Sequence, residues 1–130
     1  LVEYKGLSFY GLEGCIRYND SPIQYSEGEM SRMVLGAGLR LRYRRMRFGS
    51  GVDFFVTHSP PRGIHDAEDL PHRGFAAFHK FLDWYRPRYM LHGHVHTYDR
   101  RTTTRTQHLD TTIININPVT VMEVEPVATG

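Results

Sequence analysis

The chain has few of the features that mark secreted or membrane-spanning proteins. A single cysteine, Cys15, excludes an internal disulfide framework and a cysteine cluster for zinc. The longest purely apolar run has four residues, at 75–78, whereas a membrane span needs about 20. No basic-then-apolar signal segment opens the sequence. We therefore expect a cytoplasmic protein with no membrane partner, in which Cys15 is a small buried residue.

Length and composition bound the fold before any motif is considered. The 130 residues fill one domain at most, and 40% hydrophobic with 23% charged residues is ordinary globular usage, which argues against disorder. A net charge of +2 is too small to make the whole chain a charge-driven nucleic-acid binder. Histidine is the unusual residue type, because all eight histidines lie in the stretch 58–108.

Local patterns in the first half of the chain predict two strands and one long helix. Residues 1–12 hold apolar residues around a turn at Lys5-Gly6, which is typical of two short strands. The S-x-x-E spacing of residues 26–29 matches a capping box, so a helix should run from there to about Arg47. Its apolar residues recur at helical spacing and predict a core-facing stripe made of Leu35, Leu39, Tyr43 and Met46.

The second half of the chain alternates strands with a helix and then continues in strands alone. We expect a buried strand at 52–57, an aromatic core helix at 75–85 that Pro87 ends, and a strand at 89–91. Three further strands are expected at 102–106, 111–116 and 119–124. This order predicts an α/β fold with a layered sheet-and-helix core.

Histidines follow two of the predicted strands, at ends that an α/β sheet brings together. His58 follows the strand at 52–57, and His94 and His96 follow the strand at 89–91. Side chains at positions i and i+2 of extended backbone point the same way, so His94 and His96 can face one pocket. Because neutral imidazole suits Zn, Mn or Fe, we expect His58, His94 and His96 to be metal ligands.

Two motifs carry a resemblance to a known family. The sequence Thr-His-Ser-Pro-Pro at 57–61 resembles the histidine-after-strand motif of the calcineurin-like metallophosphoesterases, and Gly-His-Val-His at 93–96 resembles their last motif, G-H-x-H. The segments 11–19, 62–74 and 113–118 are similar to text in a bacterial subgroup of that family.

The resemblance implies a metal-dependent phosphoesterase that hydrolyses phosphate monoesters or diesters. It implies two divalent or trivalent ions, such as Mn, Fe or Zn, with His58 and His94 on one ion and His96 on the other. It also implies an αββα sandwich, of which residues 1–130 would be the C-terminal half. In such a two-metal centre the ions clamp the phosphate and activate a water molecule.

The chain departs from that family in its missing early motifs. The motifs D-x-H, G-D-x-x-D and G-N-H-[ED], which supply a bridging aspartate, an asparagine ligand and a catalytic histidine, do not occur in the 130 residues. We therefore expect residues 1–130 to be a single partial domain whose partner is a missing N-terminal segment. The isolated chain is expected to be inactive.

The remaining polar residues near these motifs each have two explanations. His65 and His72 lie in the polar loop 62–73, where they could contact phosphate or donate a proton, or could be solvated loop residues. Gly93 permits a turn that leaves His92 out of the metal set, in a structural role. Asp66 and Asp69 could hold metal-bound imidazoles, or could have capping or turn roles. His79 and His108 are expected at the surface.

Two alternative functions stay open at the level of sequence. The first is a metal-binding fragment without catalysis, because the early motifs are absent. The second is an arginine-rich nucleic-acid-binding module, because residues 40–47 hold five arginines around an aromatic residue. The same arginines on a helix could equally be a solvated face near its C-terminus, where the helix dipole favours cations.

Overall fold

A six-stranded mixed sheet with helices packed against it forms the body of the chain. The computed structural model describes residues 1–94, 104–117 and 120–126. The sheet has the strand order β1-β2-β5-β6-β8-β7, and β3 pairs with β4 in a separate two-stranded sheet. The strands are β1 Val2–Tyr4, β2 Leu7–Leu12, β3 Cys15–Ile16, β4 Gln24–Tyr25, β5 Phe54–Thr57, β6 Tyr89–His92, β7 Arg105–His108 and β8 Thr111–Asn115.

Three α-helices and one short 3-10 helix complete the regular structure of the described residues. The helices are α1 Glu27–Gly36, α2 Gly38–Phe48 and α3 Ala77–Tyr85, with a 3-10 turn at Leu70–His72. The predicted α/β class is therefore confirmed. No helix in the described ranges is both long enough and apolar enough to cross a bilayer.

The centre of the sheet is parallel, and its two edges are antiparallel. Strands β2, β5, β6 and β8 run in parallel, while β1 and β7 pair antiparallel with β2 and β8. Neighbouring strands β5 and β6 are in register from Phe54 opposite Tyr89 to Val56 opposite Leu91. Their carboxyl ends therefore lie side by side, and both lead into histidine motifs.

The hydrophobic core lies between one face of the sheet and the helices. Phe55 of β5 stacks on Phe81 of α3 with ring centroids 3.7 Å apart, and Phe78 meets Phe55 edge-on. Met90 of β6 and Ile113 of β8 belong to the same core, and both are fully buried. Helices α1 and α2 close the core with Met30, Val34 and Leu41.

The capping box at the start of α1 is confirmed. Ser26 accepts a hydrogen bond from the backbone N–H of Glu29, and the Glu29 side chain accepts one from the backbone N–H of Ser26. The prediction of one unbroken helix to Arg47 is wrong, because the chain breaks between α1 and α2. Gly38 adopts a left-handed backbone with φ of 64°, which glycine allows at little steric cost.

The predicted core stripe of that helix is also wrong, because its four side chains are exposed. Leu41 is buried instead, on the opposite side of α2. The break at Gly38 changes the direction of the chain, so the periodicity of α1 cannot continue into α2. Arg44 and Arg45 flank Leu41 and bond to backbone carbonyls of Gly51, Asp83 and Trp84.

Strand predictions near the C-terminal end are correct in part. The predicted strand at 111–116 corresponds to β8. The predicted one at 102–106 overlaps β7, which begins at Arg105 and continues to His108, while residues 102 and 103 lie outside the described residues. The strand predicted at 119–124 is wrong for residues 120–124, which have no regular structure, and Val119 lies outside the described residues.

A carboxylate ties three strands together at their amino ends. Asp53 precedes β5 and accepts hydrogen bonds through Oδ2 from the backbone N–H and the hydroxyl of Ser8 in β2. Its other oxygen, Oδ1, lies 3.2 Å from the Arg88 guanidinium just before β6. This tie and the histidine motifs occupy opposite ends of the same strands.

Candidate functional site

Two predicted site histidines meet at the carboxyl ends of β5 and β6. His58 Nε2 and His94 Nδ1 lie 2.7 Å apart, although 36 positions separate them in the sequence. The parallel pairing of β5 with β6 causes this convergence, and the backbone N–H of Gly93 donates to the carbonyl of His58 beside it. His96, the third predicted metal ligand, lies outside the described residues.

A backbone turn directs His94 toward His58. Strand β6 ends at His92, and His94 has a left-handed backbone with φ of 66°. Non-glycine residues adopt that conformation rarely, at a cost of about 1–3 kcal/mol, and such residues cluster at functional sites. The left-handed residue is His94 itself, whereas the sequence suggested that Gly93 would make the turn.

The hydrogen bonds of His94 select its tautomer. Its Nε2 contacts the backbone carbonyl of Pro71, which can only accept, so Nε2 carries the proton. In the neutral ring, Nδ1 then presents a lone pair toward His58. Burial, together with the nearby His94, lowers the pKa of His58, which favours the neutral imidazole.

A third histidine and a carboxylate adjoin this pair. The rings of His72 and His94 stack with centroids 4.9 Å apart, and His72 Nδ1 pairs with Asp69 Oδ2. The hydrogen bond from His72 holds the pKa of the Asp69 carboxyl below its usual range. The side chains of His72 and Asp69 are 39% and 56% exposed, so His72 can contact a molecule that arrives from solvent.

His65 is directed away from this group and into a buried chain of hydrogen bonds. His92 Nδ1 donates to the carbonyl of Gly93, so His92 Nε2 accepts from His65 Nδ1 at 3.0 Å. His65 Nε2 in turn accepts from the Thr106 hydroxyl at 2.7 Å. Burial lowers the pKa of both imidazoles, and that of His92 falls to about 4.

Both ring nitrogens of His65 are therefore occupied within the protein. This arrangement favours a positioning role for His65 rather than direct contact with phosphate. His92 is completely buried, consistent with the structural role expected for it. The surface position expected for His79 and His108 fits less closely, because His79 Nε2 donates to the carbonyl of Arg62 at 2.6 Å.

The loop between His58 and α3 is held in a fixed path. Asp66 accepts from Arg62 Nη1 at 2.8 Å and from the backbone N–H of Gly74 at 3.0 Å, so it has the turn-forming role that was one of its two explanations. A Cβ atom on Gly74 would collide with the backbone carbonyl oxygens of Pro60 and Pro61 in the His-Ser-Pro-Pro segment. Glu27 of α1 accepts from the backbone N–H groups of Ala76 and Ala77 and so caps α3.

Three contributors to the site carry no clear signal in the sequence. The Pro71 carbonyl and the Thr106 hydroxyl are brought to the histidines by tertiary structure alone. Asp69 has a weak local signal, its position three residues before His72. That spacing allows a side-chain pair within one turn, and it could have favoured the pairing over a simple turn role.

The donor atoms at this site fit a metal ion in kind. His94 presents an imidazole lone pair and donates its other N–H to a backbone carbonyl, which is the usual support of a metal-bound histidine. Within residues 1–94, 104–117 and 120–126, no group of three or more histidine, cysteine, aspartate or glutamate side chains is arranged to hold a metal ion. The described donors are therefore the pair His58 and His94.

An open cleft lies beside His58. It has a volume of about 600 Å³ and is open to solvent, and its lining is mostly apolar, with Leu12, Met33 and Val56 among its residues. Glu13 also lines the cleft and accepts a hydrogen bond from the Tyr25 hydroxyl at 2.8 Å. The cleft gives a molecule of moderate size direct access to His58.

No protein-family model and no curated protein matches the sequence of the chain.

Proposed function

We propose that the protein is a metal-dependent phosphoesterase whose metal centre includes His58 and His94. The observation that carries the proposal is the approach of His58 Nε2 and His94 Nδ1 to 2.7 Å at the carboxyl ends of two parallel strands. The resemblance of the two histidine motifs to calcineurin-like metallophosphoesterases supports the same assignment. The substrate class is a phosphate monoester or diester, and the location we propose is the cytoplasm.

The centre we propose holds two divalent or trivalent ions, such as Mn, Fe or Zn. His58 and His94 would bind one of them, and His96 the other, by resemblance to the family. Such a centre supplies Lewis-acid activation of the ester and of a water molecule. The family motifs that supply the bridging carboxylate do not occur in these 130 residues. We therefore propose that an N-terminal segment supplies it.

The protein's own residues have distinct tasks in this proposal. The Pro71 carbonyl holds the tautomer of His94, and the chain from Thr106 through His65 to His92 supports the turn that presents it. His72, paired with Asp69 and stacked against His94, is the residue best placed to donate a proton to the leaving group. The apolar cleft beside His58 would receive the organic part of the ester.

The face of the sheet opposite the helices supports the proposed sandwich. Phe9, Phe54 and Tyr89 form a stacked row across β2, β5 and β6, with centroid separations of 4.9 and 5.4 Å. Side chains alternate along a strand, so this row faces away from Phe55 and the helices. We propose that it packs against a second sheet, which would make the described elements the C-terminal half of an αββα sandwich.

Metal content and hydrolysis of a generic aryl phosphodiester test the proposal. The protein is used as it occurs naturally, with any segment that precedes Leu1. We expect His58→Ala and His94→Ala each to lower metal affinity and hydrolysis by at least about 100-fold, because each removes a metal ligand. His108→Ala is the matched control, and it should leave both properties unchanged, since His108 lies on the edge strand β7 and pairs with Thr111 at the amino end of β8.

Two outcomes would oppose the proposal in different ways. Full metal content in His58→Ala or His94→Ala would show that these residues are not ligands. Bound metal without hydrolysis of phosphomonoesters or phosphodiesters in the natural protein would instead favour the metal-binding fragment without catalysis.

A further inference from the structure

We propose that one face of α2 binds the surface of an anionic lipid membrane. The apolar part of this face, here called the exposed stripe, consists of Leu39, Tyr43 and Met46. This inference does not depend on the metal site. It also differs from a membrane span, which the sequence argues against, because a helix that lies in the interface needs no span.

The side chains of the exposed stripe protrude into solvent rather than packing on the core. Leu39 and Met46 are 82% and 86% exposed, and Tyr43 is 63% exposed. Leu41 alone anchors α2 in the hydrophobic core. Three large apolar side chains that protrude together from one helix face favour a binding surface, whereas single scattered ones would not.

Arginines border the exposed stripe on both sides. With Leu39 as reference on the helical wheel, Arg42 lies about 60° to one side, and Arg40 and Arg47 lie about 80–100° to the other. All three are exposed, and none forms an ion pair or hydrogen bond within the described part of the chain. Helix α2 contains five arginines and no acidic residue.

The arginines on the core side of α2 make different contacts from those that point outward into solvent. Arg44 and Arg45, on the core side of α2, bond to backbone carbonyls and to Glu3. They therefore contribute to the fold. Arg40, Arg42 and Arg47 make no such bond in the described residues, and Arg47 only lies over the ring of its neighbour Phe48, 5.4 Å from the centroid. The long stems of these arginines can lie along apolar surface while the guanidinium groups reach phosphate oxygens.

Charge and area favour a lipid surface over other occupants. A second copy of this face would set its three outward arginines against the same three. Nucleic acid would contact the arginines, but it gives the protruding leucine and methionine side chains at the centre nothing to bury in. A standard protein interface uses about 20–30 residues on each side, whereas interfacial anchoring needs only an apolar patch and attraction to anionic headgroups.

Binding to lipid vesicles of two compositions tests the proposal. The natural protein is mixed with vesicles of phosphatidylcholine alone or with about 30% phosphatidylserine, and the bound fraction is measured by flotation. We expect binding to the anionic vesicles only. Each of Arg40→Gln, Arg42→Gln and Arg47→Gln should weaken it about fivefold, which corresponds to about 1 kcal/mol per basic residue near the membrane.

Variants of the exposed stripe separate insertion from charge attraction. Leu39→Ser combined with Met46→Ser should abolish vesicle binding without lowering stability, because both side chains are solvent-exposed. Tyr43→Trp should show a blue shift of tryptophan emission on binding, since the ring enters a less polar layer. Arg105→Gln, an exposed arginine on β7, is the matched control and should bind as the parent does.

Three results would overturn the proposal. One is equal binding to both vesicle types or to neither. Another is anionic binding that the Leu39 and Met46 replacements leave intact while nucleic acid competes for it, which would indicate a general polyanion site. The third is concentration-dependent dimerisation that the same replacements remove, which would assign the face to a second copy.

Discussion

His92 and His94 are separated only by Gly93 in the sequence, but their environments differ. His92 ends β6, is fully buried, and has both ring nitrogens bonded inside the protein. His94 leaves the strand through a left-handed backbone and presents Nδ1 to His58. Because of this turn, the His92 imidazole lies in the core and the His94 imidazole lies at the candidate site.

Replacing His92 should lower stability rather than remove a ligand. His92→Ala deletes a buried ring and leaves the His65 Nδ1–H without its acceptor, so the free energy of unfolding should fall by about 2–4 kcal/mol. Urea denaturation measures this loss, and metal content measured below the transition should remain that of the parent. Loss of metal in His92→Ala with retention in His94→Ala would reverse the assignment of the two residues.

Acid should destabilise the protein through the same imidazole. The pKa of His92 is about 4 in the fold and about 6.5 in the unfolded chain, so the unfolded state binds more protons between these values. The stability contributed by neutral His92 is complete above pH 6.5. It should decline by about 3 kcal/mol as the pH falls toward 4 and then level off.

Urea denaturation of chelator-treated protein across this range checks that pH dependence. His65 acts in the same direction, because burial lowers its pKa as well. The His92→Ala variant should have a clearly shallower slope between pH 6.5 and 4. Equal slopes in parent and variant would show that His92 does not carry the effect.

Secondary elements were predictable where a local rule decides them. The capping box fixes the start of α1, and Pro87 follows the end of α3 at Tyr85. The hairpin of β1 and β2 turns at Lys5 and Gly6, both with positive φ. In each case the signal and the structure lie within a few residues of each other.

Orientation of a helix depends on distant partners, and there the sequence was misleading. The apolar spacing of Leu35, Leu39 and Tyr43 assumes a continuous helix, whereas the chain breaks at Gly38. Which side of α2 meets the core is set by its packing beside α3 and by arginine contacts to the carbonyls of Asp83 and Trp84. No local rule contains those contacts.

Two glycines predict opposite responses to alanine. Gly36 is helical and a Cβ there would meet nothing within 4 Å, so Gly36→Ala should stabilise the protein by about 0.5–1 kcal/mol. Gly74→Ala should destabilise it by about 1–3 kcal/mol, because the Cβ would collide with the carbonyls of Pro60 and Pro61. Thermal unfolding of both variants beside the parent is the measurement, and a stable Gly74→Ala would show that the loop can move aside.

At the scale of the whole molecule, sheet topology determined how much of the site could be foreseen. The meeting of His58 with His94 follows from two histidine-ended strands and the rule that parallel neighbours share an edge. The supporting groups could not be foreseen in the same way. Pro71 arrives from a loop and Thr106 from the antiparallel strand β7, and their positions depend on the complete packing.

The carboxylate tie at Asp53 has a consequence for how this protein can change. It fastens β2, β5 and β6 at the ends farthest from His58 and His94. Substitutions in the loops after β5 and β6 can therefore change the residues near His58 and His94 without disturbing the register of the sheet. A lineage could exchange one chemistry for another at the histidine end while inheriting the same strand alignment from the aspartate end.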